Sequence, residues 1–389
     1  MIKIEEAISI VKENTTVIGT EKIPFLKSLD RILAEDIISD IDMPPFDKSA
    51  VDGYACRKED LDKKLRVIEV IQAGQYPQKE IQEGECTQIM TGAPVPKGAD
   101  KIVMVEDTSV ENQFVTVLKK GSKSNISHKA EDVKKGQKVL EKGIVLKAQH
   151  IAILASVGYA EVLVYKQPNI GILSTGDELV EPHQKPAKGQ IRNSNGHQLL
   201  IQIKKCGTKA NYYGIAKDTE EDTYEKLSLA LKENDIVLLS GGVSMGEFDF
   251  VPEIMKKLGI KILFDSIAVK PGKPTTFGVM KEKRCFGLPG NPVSSFFQFE
   301  LLVKPLIFGM MGMKNAIKEL PLPMGVDYCR KRVGRKAYFP VKIIGGKVYP
   351  IKYHGSAHIH ALSFADAFTS IPLGVECLKK GEYVDVRQI

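Results

Sequence analysis

In MIKIEEAISIVKENT the apolar residues Ile4, Ile8 and Val11 recur every three or four positions, a spacing that predicts an amphipathic helix. Up to residue 40 a short strand and helix-like pieces follow, and MPPFDKSAVDGYA from Met43 then breaks the pattern with Pro44, Pro45 and Gly53. Between Leu65 and Val117 the apolar runs are short and β-rich (RVIEVIQ, KIVMVED, FVTVLK), with Gly and Pro turns between them. They predict a small all-β insertion. KAQHIAILASVGYAEVLVYKQP, from Lys147, reads as a short helix turning through Gly158 into a strand.

From Asn169 strands and helices alternate. NIGILSTGDEL is a strand entering a glycine turn. NSNGHQLLIQIKKCG starts at an N-cap, Asn193 or Ser194, and runs as a helix to Gly207. TKANYYGIA is a strand, DTEEDTYEKLSLALKE a helix with an acidic first turn, DIVLLSGG a strand, and FVPEIMKKLG a helix. This alternation predicts a doubly wound parallel α/β domain over roughly 168–310. From Leu320 the short β runs AYFPVKII, KVYPIKY and YVDVRQ predict a small barrel, and no internal repeat occurs.

Length and composition narrow the class. At 389 residues, 43% hydrophobic and 26% charged, the chain reads as an ordinary globular protein of several domains. The net charge of +7 is spread along the chain without a dense basic block, which argues against nucleic acid and fits acidic small molecules. The N-terminal helix carries acids and lacks the apolar core of a signal peptide, and no apolar run is long enough for a membrane span. Six scattered cysteines without a Cys-x-x-Cys pair predict free thiols, a reducing cytoplasm and no structural zinc.

The candidate chemistry gathers where the predicted strands end. In an open parallel sheet ligands sit beyond the carboxyl edge. STGDE (174–178), KD (217–218) and SGGVSMGEFD (240–249) converge there. Gly176, Gly241, Gly242 and Gly246 let backbone N–H groups approach an anion. Asp177, Glu178, Asp218, Glu247 and Asp249 are hard oxygen donors suited to Mg²⁺. A single glycine turn would be mere punctuation. Three acid-bearing turns on one sheet edge suggest a phosphate and a metal ion handled together. In VKPGKPTTFG, Pro271 and Pro274 stiffen a loop that presents Lys270 and Lys273 to an oxyanion, unless the pair is simply solvated. In GLPGNPVSSFF, Pro289, Gly290, Asn291 and Pro292 form a rigid turn before a helix start at Ser294 and Ser295, whose N–H groups can face an anion. Asp52 in DKSAVDGYA and Thr91 in QIMTGAPVPKGAD stand in polar loops with little core role. HGSAHIH (354–360) lacks an acid or cysteine partner for zinc, and its Ser356 reads better as an oxyanion donor.

Taken in order, DKSAVDGYA, IMTGAPVPKGAD, AEDVKKGQKV, STGDEL, SGGVSMGEFD, KPGKPTTFG and LPGNPVSSF resemble the molybdopterin molybdenumtransferases, the bacterial MoeA family and the E domain of relatives such as gephyrin, from end to end. The resemblance implies a multidomain α/β subunit that forms a homodimer. A discontinuous helical and β N-terminal domain would span 1–40 and 137–167, and a β-rich insertion 41–136. The doubly wound molybdopterin-binding domain would span 168–316, and a C-terminal β-barrel 317–389. The implied reaction takes adenylylated molybdopterin and molybdate, joins the metal to the dithiolene and releases AMP with Mg²⁺ assisting. The site would lie between the α/β domain of one subunit and the insertion of the other. By the same resemblance Asp52, Asp132, Asp177, Glu178, Lys270 and Lys273 are catalytic, and Asp218, Glu247 and Asp249 hold the metal. Thr91, Ser240, Gly241, Gly242, Ser244, Gly246, Pro274, Pro289, Gly290, Asn291, Pro292, Ser294, Arg335 and Ser356 contact the substrates. One departure from the family pattern is Asp366, where an Asn is expected in the barrel. Further partners implied are the upstream adenylyltransferase and downstream molybdoenzyme chaperones.

Two other functions share these motifs. An adenylyltransferase using ATP has STGDE and SGG, yet needs only the α/β unit, whereas here some 170 residues precede it. A non-enzymatic scaffold would not need the acid set, and the chain has no long linker of the kind seen in such fusions.

Overall fold

The computed structural model describes residues 1–242, 251–313, 318–353 and 355–389. Its centre is a six-stranded sheet in the order Lys209–Ala216, Asn169–Thr175, Ile236–Ser240, Lys283–Leu288, Thr276–Met280, Lys261–Phe264. The first four strands run parallel. Along Ile236–Ser240 the side chains alternate between two cores. Ile236 and Leu238 pack with Leu199, Ile203 and Phe297, while Val237 and Leu239 pack with Leu227, Leu231 and Ile254. A strand buried on both faces therefore reads as an unbroken apolar run. Helix Asn195–Lys205 covers one face, and helices Glu220–Glu233 and Val251–Lys257 the other. The helix at 195 is capped one residue earlier than its flanking Ser194: the Asn193 Oδ1 accepts from the Gly196 N–H at 3.1 Å.

The last two strands are antiparallel, a mixed edge beyond the parallel core. Met280 pairs with Lys283, so only Lys281 and Glu282 connect their strands, with Lys281 at φ +52°. A link of two residues can join only antiparallel neighbours. No Gly or Asn marks this turn in the sequence.

The flanking regions hang on this sheet. Thr20–Pro24 pairs with Glu161–Tyr165, and Ile37–Ile38 with Lys138–Leu140, which stitches the first forty residues to the segment after 137. The intervening chain forms its own six-stranded sheet, in the order Lys101–Met104, Gly53–Cys56, Glu85–Ile89, Leu65–Ile71, Phe114–Val117, Thr108–Glu111. At the C-terminus Lys347–Pro350, Lys336–Ile344, Ala367–Ile371, Tyr383–Gln388 and Leu320–Pro323 pair in sequence around a core of Phe339, Val341 and Ile371. Met324 bridges Val348, so the two ends of this sheet meet and close a barrel.

Helical residues Pro292–Met310 are long and apolar enough to cross a membrane, but 72% of the stretch is buried within the fold, as in a core helix. Its middle widens into a π turn at Phe299–Val303. Pro305 follows two residues later and has no N–H for the carbonyl of Leu301, so a wider turn relieves the clash. The cysteine expectation is corrected in part. Cys329 and Cys377, 48 residues apart, face each other on paired strands and are bonded. Sequence spacing carries no sign of this, because the pairing is made by the barrel. Cys56, Cys86, Cys206 and Cys285 are free and buried, and burial pushes the first three up to about 12.

Candidate active site

Strand order reverses at Asn169–Thr175, whose two neighbours are the strands that follow it, one on each side. A crevice opens beyond the carboxyl ends at such a point. Turns 176–178, 217–218 and 241–242 all leave the sheet there. The Asp218 Oδ2 accepts from the Asp177 N–H and the Asp177 Oδ1 accepts from the Asp218 N–H, both at 3.1 Å. This reciprocal pair holds two exposed carboxylates side by side. Glu178 folds its carboxylate back over Gly176, where a Cβ would stand 2.4 Å from Oε2. Gly241 has φ +99°, and a Cβ there would meet the Thr175 carbonyl at 2.6 Å. Glycine at 241 is thus required by both backbone and space. Ser244, Gly246, Glu247 and Asp249 lie outside the described residues. Among the described residues no cluster of three or more His, Cys, Asp or Glu is placed to hold a metal ion.

Asn195 was not visible as a candidate. It is buried at the first turn of its helix, and its Nδ2 donates to the Ser240 Oγ at 2.9 Å and the Gly290 carbonyl at 2.8 Å. One amide thereby ties the glycine turn to the LPGNP turn (288–292). The only sequence signal was its position at a helix start facing the sheet edge. Thr175 Oγ1 and Asn195 Oδ1 are buried with no hydrogen-bond partner among the described residues.

The LPGNP turn leads into helix Pro292–Gln298, where Ser294 is buried and Pro292 occupies the first helical position. The Val293 N–H donates to the Ser356 carbonyl at 3.0 Å, which brings the barrel loop of Ser356 to this helix start. Gln298, one turn on, donates to the Pro271 carbonyl at 3.2 Å. Gly272 fits against that same side chain, since a Cβ there would be 2.3 Å from Nε2. The loop of Lys270, Lys273 and Pro274 is therefore seated on the helix, with both lysines exposed. Val269 and Lys270 also pair with Lys336 and Ala337 of the barrel, and the Arg335 Nη1 donates to the Val269 carbonyl at 3.3 Å. A cavity of about 400 Å³ lies here, lined by Lys270, Arg330, Lys331, Arg332, Tyr353 and Gly355 among others. Four cations around one cavity favour an anion.

Asp52, Thr91 and Asp132 stand apart from this edge, in the segment between the paired N-terminal strands. The Asp52 Oδ1 accepts from the Thr91 N–H at 2.7 Å and from its hydroxyl at 2.9 Å. These bonds, the backbone one first, hold the Asp52 carboxyl below its ordinary range although it is exposed. Asp132 is exposed in a turn whose N–H donates to the Met43 carbonyl. Among the described residues no hydrogen bond or ion pair joins these three to the α/β turns of the same chain.

Comparison with known proteins decides the family. Residues 2–158 match the MoeA N-terminal region (domain I and II), 171–309 a probable molybdopterin binding domain, and 326–389 the MoeA C-terminal region (domain IV). A molybdopterin molybdenumtransferase of Staphylococcus aureus (strain COL) is 36% identical over 99% of this chain and 95% of its own length. The chain belongs to the MoeA family. A Staphylococcus epidermidis molybdopterin molybdenumtransferase is likewise 36% identical over 99% of this chain and 95% of its own length. The crystal structure of the MoeA protein from Pyrococcus horikoshii OT3 superposes with a TM-score of 0.87 at 33% identity, covering all of both chains. This MoeA family member thus matches its relatives through the N-terminal region and barrel as well as the α/β unit, which an adenylyltransferase alone would not need.

Proposed function

We propose that this MoeA family member is a molybdopterin molybdenumtransferase acting in molybdenum cofactor biosynthesis: it transfers molybdenum from molybdate onto adenylylated molybdopterin and releases AMP. The observation that carries this reading is a glycine turn and a carboxylate pair at one sheet edge, linked through the LPGNP turn and the Ser356 loop to a cationic cavity beside Lys270. The Gly241 N–H is taken by the Leu288 carbonyl at 3.1 Å, so the Gly242 N–H, with Ser240, Pro289, Gly290 and Asn291 beside it, receives the nucleotide phosphates. Lys270 and Lys273 hold the molybdate dianion, with the helix start at Ser294, the Ser356 loop and Arg335 supplying further donors. The exposed carboxylates of Asp177 and Asp218 are hard oxygen donors whose chemistry fits Mg²⁺, and Glu247 and Asp249 would complete the set. When bound there, Mg²⁺ neutralises charge on the phosphate oxygens. Glu178 orders the turn below them.

The separation within one chain supports a homodimer as part of this reading. Asp52, Thr91 and Asp132 act on the α/β edge of the partner subunit, and the Asp52–Thr91 bonds keep that carboxylate ionised and aimed. A cytoplasmic location is part of the same reading.

The test supplies purified protein with adenylylated molybdopterin, Mg²⁺ and molybdate and measures AMP by chromatography. AMP release that rises with molybdate and falls on chelation of the divalent ion is expected. Formation of adenylylated molybdopterin from ATP and molybdopterin, with no molybdate-dependent AMP, would overturn the reading in favour of an adenylyltransferase.

A further inference from the structure

Arg330 lines the cationic cavity, yet its donors do not point to a free anion. Nε donates to the Val375 carbonyl at 2.9 Å, Nη1 to the Arg335 carbonyl at 2.6 Å and Nη2 to the Pro372 carbonyl at 2.5 Å. These carbonyls belong to two separate segments of the barrel, 372–375 and 335. The backbone repeats the tie, with the Arg330 N–H donating to the Glu376 carbonyl at 2.8 Å and the Gly374 N–H to the Val333 carbonyl at 3.0 Å. Loop 331–334 is thus fastened at both its ends by one guanidinium. Arg335, at the far end, reaches the Val269 carbonyl, one residue before Lys270.

We propose that Arg330 is a positioning residue for oxyanion use: by clamping the carbonyls of Arg335, Pro372 and Val375 it fixes the 331–335 loop and so sets Arg335 against the strand that carries Lys270. The proposal rests on the molybdenumtransferase reading for its substrate, an oxometalate dianion. The physical reason is that two cations recognise one small dianion only when their spacing is held. Arg330 can do this because its planar fork serves several acceptors at once. Lysine has the same charge but no fork, and its single ammonium cannot span the same three carbonyls.

The test compares Arg330→Lys and Arg330→Met with the unaltered protein. Three quantities are read: the KM for molybdate in AMP release, the KM for adenylylated molybdopterin, and the melting temperature. In Arg330→Lys the molybdate KM should rise about tenfold, because charge is kept and position lost. The KM for the nucleotide and the melting temperature should stay close to those of the unaltered protein. Arg330→Met should show a larger rise of the molybdate KM. A wild-type molybdate KM in Arg330→Lys, or an equal rise in both KM values, would overturn the proposal. Calorimetric titration of the free proteins with sodium molybdate reads the same contact without turnover. If the unaltered protein binds molybdate but releases no AMP, the functional reading fails alone. If Arg330→Lys then binds molybdate as tightly as the unaltered protein, the positioning role fails too; weaker binding upholds it.

Discussion

At the scale of single residues, the sheet edge depends on what is missing from Gly241. Its φ of +99° and the Thr175 carbonyl 2.6 Å from a notional Cβ leave no room for a side chain. Gly241→Ala should cost roughly 1–3 kcal/mol through the strained backbone. It should also weaken nucleotide binding, since the turn must move to admit the methyl group. Thermal melting and equilibrium dialysis with the adenylylated pterin check both effects, and an unchanged melting temperature would show that the turn has another conformation open to it. The glycine was legible in SGGVSMGEFD. Asn195 was not, because a sequence shows an asparagine at a helix start as a cap, whereas here Asn193 caps and Asn195 is freed to join two distant turns.

Among elements, the barrel strands show how far pairing departs from spacing. Tyr328 and Cys329 pair with Leu378 and Cys377, and the two sulfurs are bonded. A cross-link closing a loop of this length should contribute about 2–4 kcal/mol by restricting the unfolded chain. Cys377→Ser should therefore lower the melting temperature of the unreduced protein, while adding reductant to that variant should change nothing further. Alkylation in denaturant without reductant, followed by intact mass, should modify only the four free cysteines; six modified thiols would rule the bond out. The mixed edge of the central sheet has a similar lesson. The hairpin of Thr276–Met280 and Lys283–Leu288 turns through Lys281 at positive φ, a conformation that Lys rarely advertises.

For the whole molecule, the decisive feature is separation. Asp52 and Thr91 are bonded to each other in the insertion, while the carboxylate pair and the lysine loop sit on the α/β domain. If a partner subunit completes the site, an Asp52→Ala chain mixed with a Lys273→Ala chain should regain activity, since each heterodimer holds one intact site. Up to about half the activity per heterodimer is expected from that count of sites. AMP release from co-expressed, differently tagged chains measures it. Heterodimers that form without any rescue would rule out a shared site.

The sequence by itself determined the α/β alternation, the acid-bearing turns at 176–178 and 217–218, the glycine turn at 241–242 and the family motifs. These are local patterns: buried parallel strands must be apolar, and turns that approach anions must be glycine. The tertiary structure alone decided which distant segments meet. Cys329 with Cys377, Asn195 with Ser240 and Gly290, Arg330 with the 372–375 segment, and Gln298 with Pro271 are all contacts between segments far apart in the chain. Such contacts leave no periodic trace along the chain, because their geometry is set by how the sheet, helix and barrel pack and not by residue spacing.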